Sequence, residues 1–293
     1  MDKQFTIVVG IDFSDSSPIV LRHALEGAKS QNAKLIAVHV LDQGLLDFRE
    51  ASGLGKLAID SLSSQAEEKF RSLLVSKGEG CDVEFLVRSG KPADELCKVA
   101  KDLEASVLII SANDMTKRRL GSIAARCVRM APCDVLVLRD WQGGSFQKIV
   151  VCTDFSKTAD HAVARAGEIA KRDGALLEIV NVMYPPGRDT WGEVLDHRAD
   201  SPKTYADECR EVVDGQIKKC VARNAAALEG LRYERLVLES EMPSVAITAH
   251  VQSIGADLVV LGTRGHSPVA SYFLGTNAER LLQDAPVSVL AVR

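Results

Sequence analysis

Gly262-Thr263-Arg264-Gly265-His266-Ser267, followed by Gly275-Thr276-Asn277, has the residue types that hold a phosphate with bare backbone. The spacing is Gly-x2-Gly-x9-Gly-Thr. Each member has a physical task. Gly262 presents backbone with no Cβ in the way of a ligand. Gly265 can take a positive φ and turn successive amides inward as an anion nest. Gly275 and Thr276 stand where a helix should begin, so free N–H groups and the helix dipole favour an anion there. Thr276 adds a hydroxyl donor, and Asn277 follows it. No lysine of the Walker type accompanies the glycines, and Arg264 and His266 are the nearest substitutes. Rapid phosphate hydrolysis is therefore not expected, and enzymatic activity stays open.

The elements that position this loop are written twice in the chain. Ile7-Val8-Val9-Gly10-Ile11-Asp12-Phe13-Ser14 returns as Ile149-Val150-Val151-Cys152-Thr153-Asp154-Phe155-Ser156, 142 positions later (149 − 7). Ala131-Pro132 to Arg139 returns as Ala285-Pro286 to Arg293. In the first copy, short β-branched runs predict strands at about Thr6–Ile11, Leu35–Val40, Val83–Arg88, Val107–Ser111 and Val135–Leu138. In the second they fall at about Ile149–Thr153, Leu176–Val182, Tyr233–Leu238, Leu258–Gly262 and Val287–Val292. Near-continuous apolar runs fit parallel strands buried on both faces. Helical segments alternate with them. Val20, Leu21, Ala24, Leu25 and Ala28 form one stripe behind Ser17 as N-cap and Pro18 in the first turn, while Pro92 and Pro243 open later helices. This alternation predicts an α/β fold of two tandem doubly wound parallel sheets, domains 1–140 and 146–293, with ligands beyond the carboxyl ends of the strands. From Val182 to Pro243 the second copy is longer than the first from Val40 to Pro92, and the excess reads as a surface excursion within Tyr184–Pro202. The short linker Trp141-Gln142-Gly143-Gly144-Ser145 leads us to expect domains packed closely.

The first copy lacks the cradle. Ser111 replaces the first glycine and Asp114 the second, and the spacing to Gly121 is shorter. A carboxylate about 4 Å from a phosphate charge costs roughly 4 kcal/mol at an effective dielectric of 20, which is about three decades of affinity. Lys117-Arg118-Arg119 makes a basic knot there, read as a solvated loop tip, with a grip on another anionic ligand or on a partner's acidic patch as the alternative. Asp12 is read as a cap for nearby amides, and His39 as a core or near-core residue.

Composition narrows the function further. The chain has 293 residues and a formal net charge of −4. No global positive field recruits nucleic acid, and no apolar run approaches the roughly 20 residues of a membrane span. Met1-Asp2-Lys3-Gln4 leads directly into a strand, which leaves no room for a signal peptide. Seven scattered cysteines include no Cys-x-x-Cys pair, and the histidines lack the spacing of a helical metal site, so no metal ligands are assigned. A reducing cytoplasm suits them. The residues of hydrolase, dehydrogenase and glycosidase sites are missing.

On the Asp-Phe-Ser after the first strand, the glycine loop and the closing Ala-Pro-x-x-Val-Leu-x-x-Arg, the chain resembles the universal stress protein family in its tandem two-domain form. The resemblance implies five-stranded sheets of order 3-2-1-4-5, of the adenine-nucleotide alpha hydrolase-like kind, with last strands pairing across a twofold as an intramolecular pseudo-dimer; a further homodimer is open. It implies ATP or AMP, with Mg²⁺ on the phosphates, in the second domain. Gly262, Gly265, Gly275, Thr276 and Asn277 would hold phosphates and ribose, and Asp154 with backbone near Val182 would hold adenine. The output expected is a regulatory, stress-linked change in contacts with an unknown protein partner. One departure stands out: the first copy keeps the Gly-x-Pro turn as Gly90-Lys91-Pro92, but the second has Glu241-Met242-Pro243, and Glu241 beside a nucleotide would weaken binding. The alternative function is a carrier or interaction protein whose main ligand, a lipid or an anion, sits in the first domain or between domains. An adenylating enzyme of the ATP-pyrophosphatase-like group would need a Ser-Gly-Gly-type loop where this chain has Asp154-Phe155-Ser156-Lys157.

Overall fold

β-branched runs flanked by helices with one apolar stripe can bury both faces only by stacking as helix, sheet, helix. The computed structural model of the chain describes residues 4–53, 59–75, 82–112, 120–185, 204–264 and 275–293. The chain divides into two units, Met1–Gly144 with Ser288–Ala291, and Ser145–Val287 with Val292–Arg293.

In the first unit the parallel strands are β1 (Thr6–Gly10), β2 (Lys34–Asp42), β3 (Val83–Gly90), β4 (Val107–Ser111) and β5 (Asp134–Leu138). Their order is β3-β2-β1-β4-β5, as expected for this fold. Val8 pairs with Ile36 on one side and Leu108 on the other, and all three are fully buried. Ser288–Ala291 of the last strand, β10 (Ser288–Val292), belongs to this unit and runs antiparallel to β5, with Val289 opposite Val137.

The helices of this unit are α1 (Ser17–Gln31), α2 (Gln43–Ala51), α3 (Ile59–Val75), α4 (Pro92–Asp102) and α5 (Ser122–Met130). The predicted stripe of α1 is buried throughout. Its N-cap is Ser16 rather than Ser17, and no side chain caps it. Ser17 is instead the first helical residue, because its hydroxyl donates to Asp12 Oδ1 at 2.8 Å. The linker's Trp141 is buried within this unit, with His23 edge-on at 4.7 Å and Arg22 4.9 Å from its ring.

The second unit repeats the plan with β6 (Lys148–Cys152), β7 (Leu176–Met183), β8 (Tyr233–Glu239) and β9 (Leu258–Gly262), ordered β8-β7-β6-β9. Its helices are α6 (Lys157–Asp173), α7 (Tyr205–Arg223), α8 (Ala225–Leu228), α9 (Pro243–Ile254) and α10 (Thr276–Asp284). Ser156 Oγ accepts from Ala159 N at 3.2 Å to cap α6, which ends at Gly174 in the left-handed region. Asp160 of α6 receives both Arg223 Nε (2.6 Å) and the Cys220 thiol (3.2 Å) from α7. Glu178 of β7 and His250 of α9 pair at 2.7 Å beneath the surface. The excursion expected within Tyr184–Pro202 lies, from residue 186 on, outside the described residues, as do Asp114 and Lys117-Arg118-Arg119.

Between first strand and first helix, each unit has the same corner. Phe13 (φ 59) and Phe155 (φ 65) both occupy the left-handed region. Asp12 Oδ1 accepts from Ser14 N, and Asp154 Oδ1 from Ser156 N, each at 3.0 Å. The aspartate side chain substitutes for a backbone turn bond and holds the phenylalanine in place.

Candidate functional site

The strand order reverses between β6 and β9, so the loops after these two strands diverge and open a crevice between them. In the second unit this crevice is a cavity of about 400 Å³. Asp154, Val182, Gly262, Gly275, Thr276 and Asn277, singled out by sequence, all line it. Arg264 is exposed just past β9, its carbonyl accepting from Ser156 Oγ at 3.4 Å. Gly265 and His266 lie outside the described residues.

Each lining residue owes its place to local structure. Gly262 ends β9 directly over the first turn of α6. A Cβ there would stand 3.1 Å from Ala159 N and from the carbonyl carbon of Thr158, and 3.2 Å from Thr158 Cγ2. Glycine is therefore what lets strand and helix meet. The chain then locks immediately: Thr263 N and Oγ1 both donate to the Val292 carbonyl, at 2.9 and 3.0 Å.

Gly275 is the N-cap of α10, in extended backbone, and no described side chain caps the helix. Among the described residues its Cβ would meet nothing within 4 Å. The first amides of α10, at Thr276, Asn277 and Ala278, have no partner in their own helix and border the cavity. A nine-residue helix thus offers an uncapped, electropositive end to an open space that glycine keeps bare.

Sequence reasoning missed the polar residue at the back of the site. Asn181, in the middle of β7, is 8% exposed and donates from Nδ2 to the Thr153 carbonyl at 2.8 Å. Its counterpart is His39, half-buried, whose Nδ1 meets the Ile11 carbonyl at 2.8 Å. The available signal was a polar residue interrupting an apolar strand at the same place in both copies. Pro243 and Ile247 of α9, with Leu261 and Leu281, supply the apolar wall. Glu241 is exposed and is not among the lining residues, so Pro243 alone brings that turn to the cavity.

Cys152 also lines the cavity, and burial pushes its thiol up to about 12, which keeps it neutral at physiological pH. Among the described residues, no group of three or more His, Cys, Asp and Glu side chains could hold a metal ion. No described helix is long and apolar enough to cross a membrane. The arrangement is thus suited to binding an anion beside an apolar and hydrogen-bonding pocket. No general base stands beside a nucleophile among the described residues singled out.

The family model described as the universal stress protein family matches residues 5–139 and again 145–293. A universal stress protein of Thermus aquaticus is 33% identical over 148 residues, covering 50% of this chain and 99% of its own. A putative universal stress protein of Staphylococcus epidermidis is 32% identical over 150 residues, or 51% and 85% of the two chains. The crystal structure of a universal stress protein from Archaeoglobus fulgidus superposes with a TM-score of 0.65 at 21% identity, covering 98% of this chain and 96% of that one.

Proposed function

The chain belongs to the universal stress protein family, and from that premise we propose that its second unit is an ATP- or AMP-binding sensor. In this reading the amides of α10 and the Thr276 hydroxyl take the phosphates, with Gly262, Gly265 and Gly275 leaving room for them. Asn277 serves the ribose, and Arg264 and His266 flank the phosphates. Asp154 and the backbone at Val182 take the adenine. Any Mg²⁺ would ride on the phosphates, consistent with the lack of a described carboxylate cluster. The first unit is a degenerate copy. Occupancy of the site changes contacts with a protein partner in a stress response, and the described cysteines, none of them in a disulfide, suit a reducing cytoplasm.

The observation that carries this reading is the uncapped start of α10 facing a cavity of about 400 Å³ across the bare Gly275. Isothermal titration of ATP and AMP against the wild type and Gly275→Asp tests it. Aspartate is a favourable N-cap, so α10 survives the change. A carboxylate about 4 Å from a phosphate costs roughly 4 kcal/mol. We expect one site per chain in the wild type and loss of measurable binding in the variant. Equal affinity in both proteins, or no binding in either, removes the assignment.

A further inference from the structure

The first unit has its own cavity, of about 220 Å³, at the matching place. The two sites are built from the same positions, so their differences are informative. Ile11 stands where the second unit has Thr153, Ile123 where it has Asn277, and Ser111 where it has Gly262. Two polar wall positions have become aliphatic. Val38, Val40, Leu96 and Ile110 complete the lining on their side. The floor is closed by carbon as well: a Cβ on Gly10 would sit 3.2 Å from Ile110 Cγ2 and 3.4 Å from the Leu96 methyls.

Where the second unit has bare Gly262, this cavity carries a hydroxyl. Ser16 Oγ donates to Ser111 Oγ at 2.8 Å, tying the start of α1 to the end of β4. Asp12 lines the same cavity, its Oδ1 accepting from Ser14 N, Ser14 Oγ and Ser17 Oγ. Burial alone would raise this carboxyl, but those hydrogen bonds outweigh it and hold it below its ordinary value, so it is charged at neutral pH. Ile123, meanwhile, is 41% exposed in the first turn of α5 while lining the cavity.

We propose that the first unit binds a compact, uncharged, largely apolar molecule in this cavity, against Ile123 and Leu96. This site is independent of nucleotide binding in the second unit. Apolar ligands of ring size fit a concave wall of this kind, with Ser122 and the uncapped start of α5 available for one hydrogen bond.

Fluorescence titration of the full chain with N-phenyl-1-naphthylamine, an uncharged bicyclic probe, tests the proposal. One saturable site per chain is expected, undiminished by excess ATP. Ile123→Asn, which copies the polar position of the second unit, should weaken the probe about tenfold while leaving ATP affinity unchanged. Ile123→Ala should give a smaller loss, and thermal melts confirm that both variants fold. The proposal is overturned if the probe shows no saturable binding, if ATP displaces it, or if Ile123→Asn binds it as well as the wild type.

Discussion

Gly262→Ser transplants into the second unit the residue that the first unit carries at the same point. The new Cβ would press to 3.1 Å on Ala159 N and the Thr158 carbonyl carbon. These are backbone atoms in the first turn of α6, not the end of a flexible side chain. The turn must therefore move by a few tenths of an ångström or unwind. In the first unit, where serine stands at this point, the helix begins later. Counting from the shared Asp-Phe-Ser corner, α6 begins at Lys157, whereas α1 begins at Ser17, two positions further along than Asp15, the counterpart of Lys157. Overpacking of this kind costs roughly 1–3 kcal/mol of stability. If the displaced turn also spoils one hydrogen bond to a charged ligand, about 1.5–3 kcal/mol of binding is lost, or roughly 10- to 150-fold in affinity. Isothermal titration of ATP, with a thermal melt of each protein, separates the two effects. Gly262→Ala should show the packing cost, and Gly262→Ser should add hydroxyl bonding to the first turn as Ser111 does. Wild-type ATP affinity in a folded Gly262→Ser protein would refute the argument that bare backbone at this point keeps the mouth open.

Three further outcomes are expected. His250→Ala leaves the Glu178 carboxylate, 8% exposed, without its partner, and should lower stability by about 3–5 kcal/mol in urea unfolding; a loss well under 1 kcal/mol would mean the carboxylate finds another partner. Burial pushes the Asp160 carboxyl up, but hydrogen bonds from Arg223 and Cys220 outweigh it and hold the group below 3.8. Its stabilisation is thus complete above 3.8 and vanishes as pH falls through the depressed value, so Asp160→Asn should flatten the acid limb of the melting profile; an unchanged limb would sink this. Burial and neighbouring Asp134 push the Cys133 thiol up to about 12, and burial with the Asp160 hydrogen bond pushes Cys220 up to about 11. Native protein at pH 8 should therefore resist iodoacetamide at both until it is unfolded, read by peptide mass spectrometry.

The strands were legible because fully buried parallel strands are nearly continuous apolar runs, and their predicted limits stand within two residues of the observed ones. The helix openings at Pro92 and Pro243 were legible for the same kind of local reason. What escaped was anything that burial does not write into the sequence. Helix α2 buries no residue, and its Leu45 and Phe48 are exposed, so no periodic stripe announces it. The start of α1 was read one residue late, because Ser16 and Ser17 look alike until Asp12 is seen to take one hydroxyl. Asn181 was missed since its role depends on a carbonyl 28 positions away. The candidate site itself was readable as a set of glycines and hydroxyls; its apolar wall, drawn from α9, was not.

The two strained phenylalanines carry a consequence of their own. Left-handed backbone at a residue with a bulky side chain costs about 1–2 kcal/mol, and both halves bear that cost, including the half that lacks the glycine loop. The torsion therefore belongs to the inherited framework rather than to any one ligand. A duplicated half can drift in what it holds while the bend that aims strand into helix stays put, which leaves it ready to be refitted for other chemistry by changing a few wall residues.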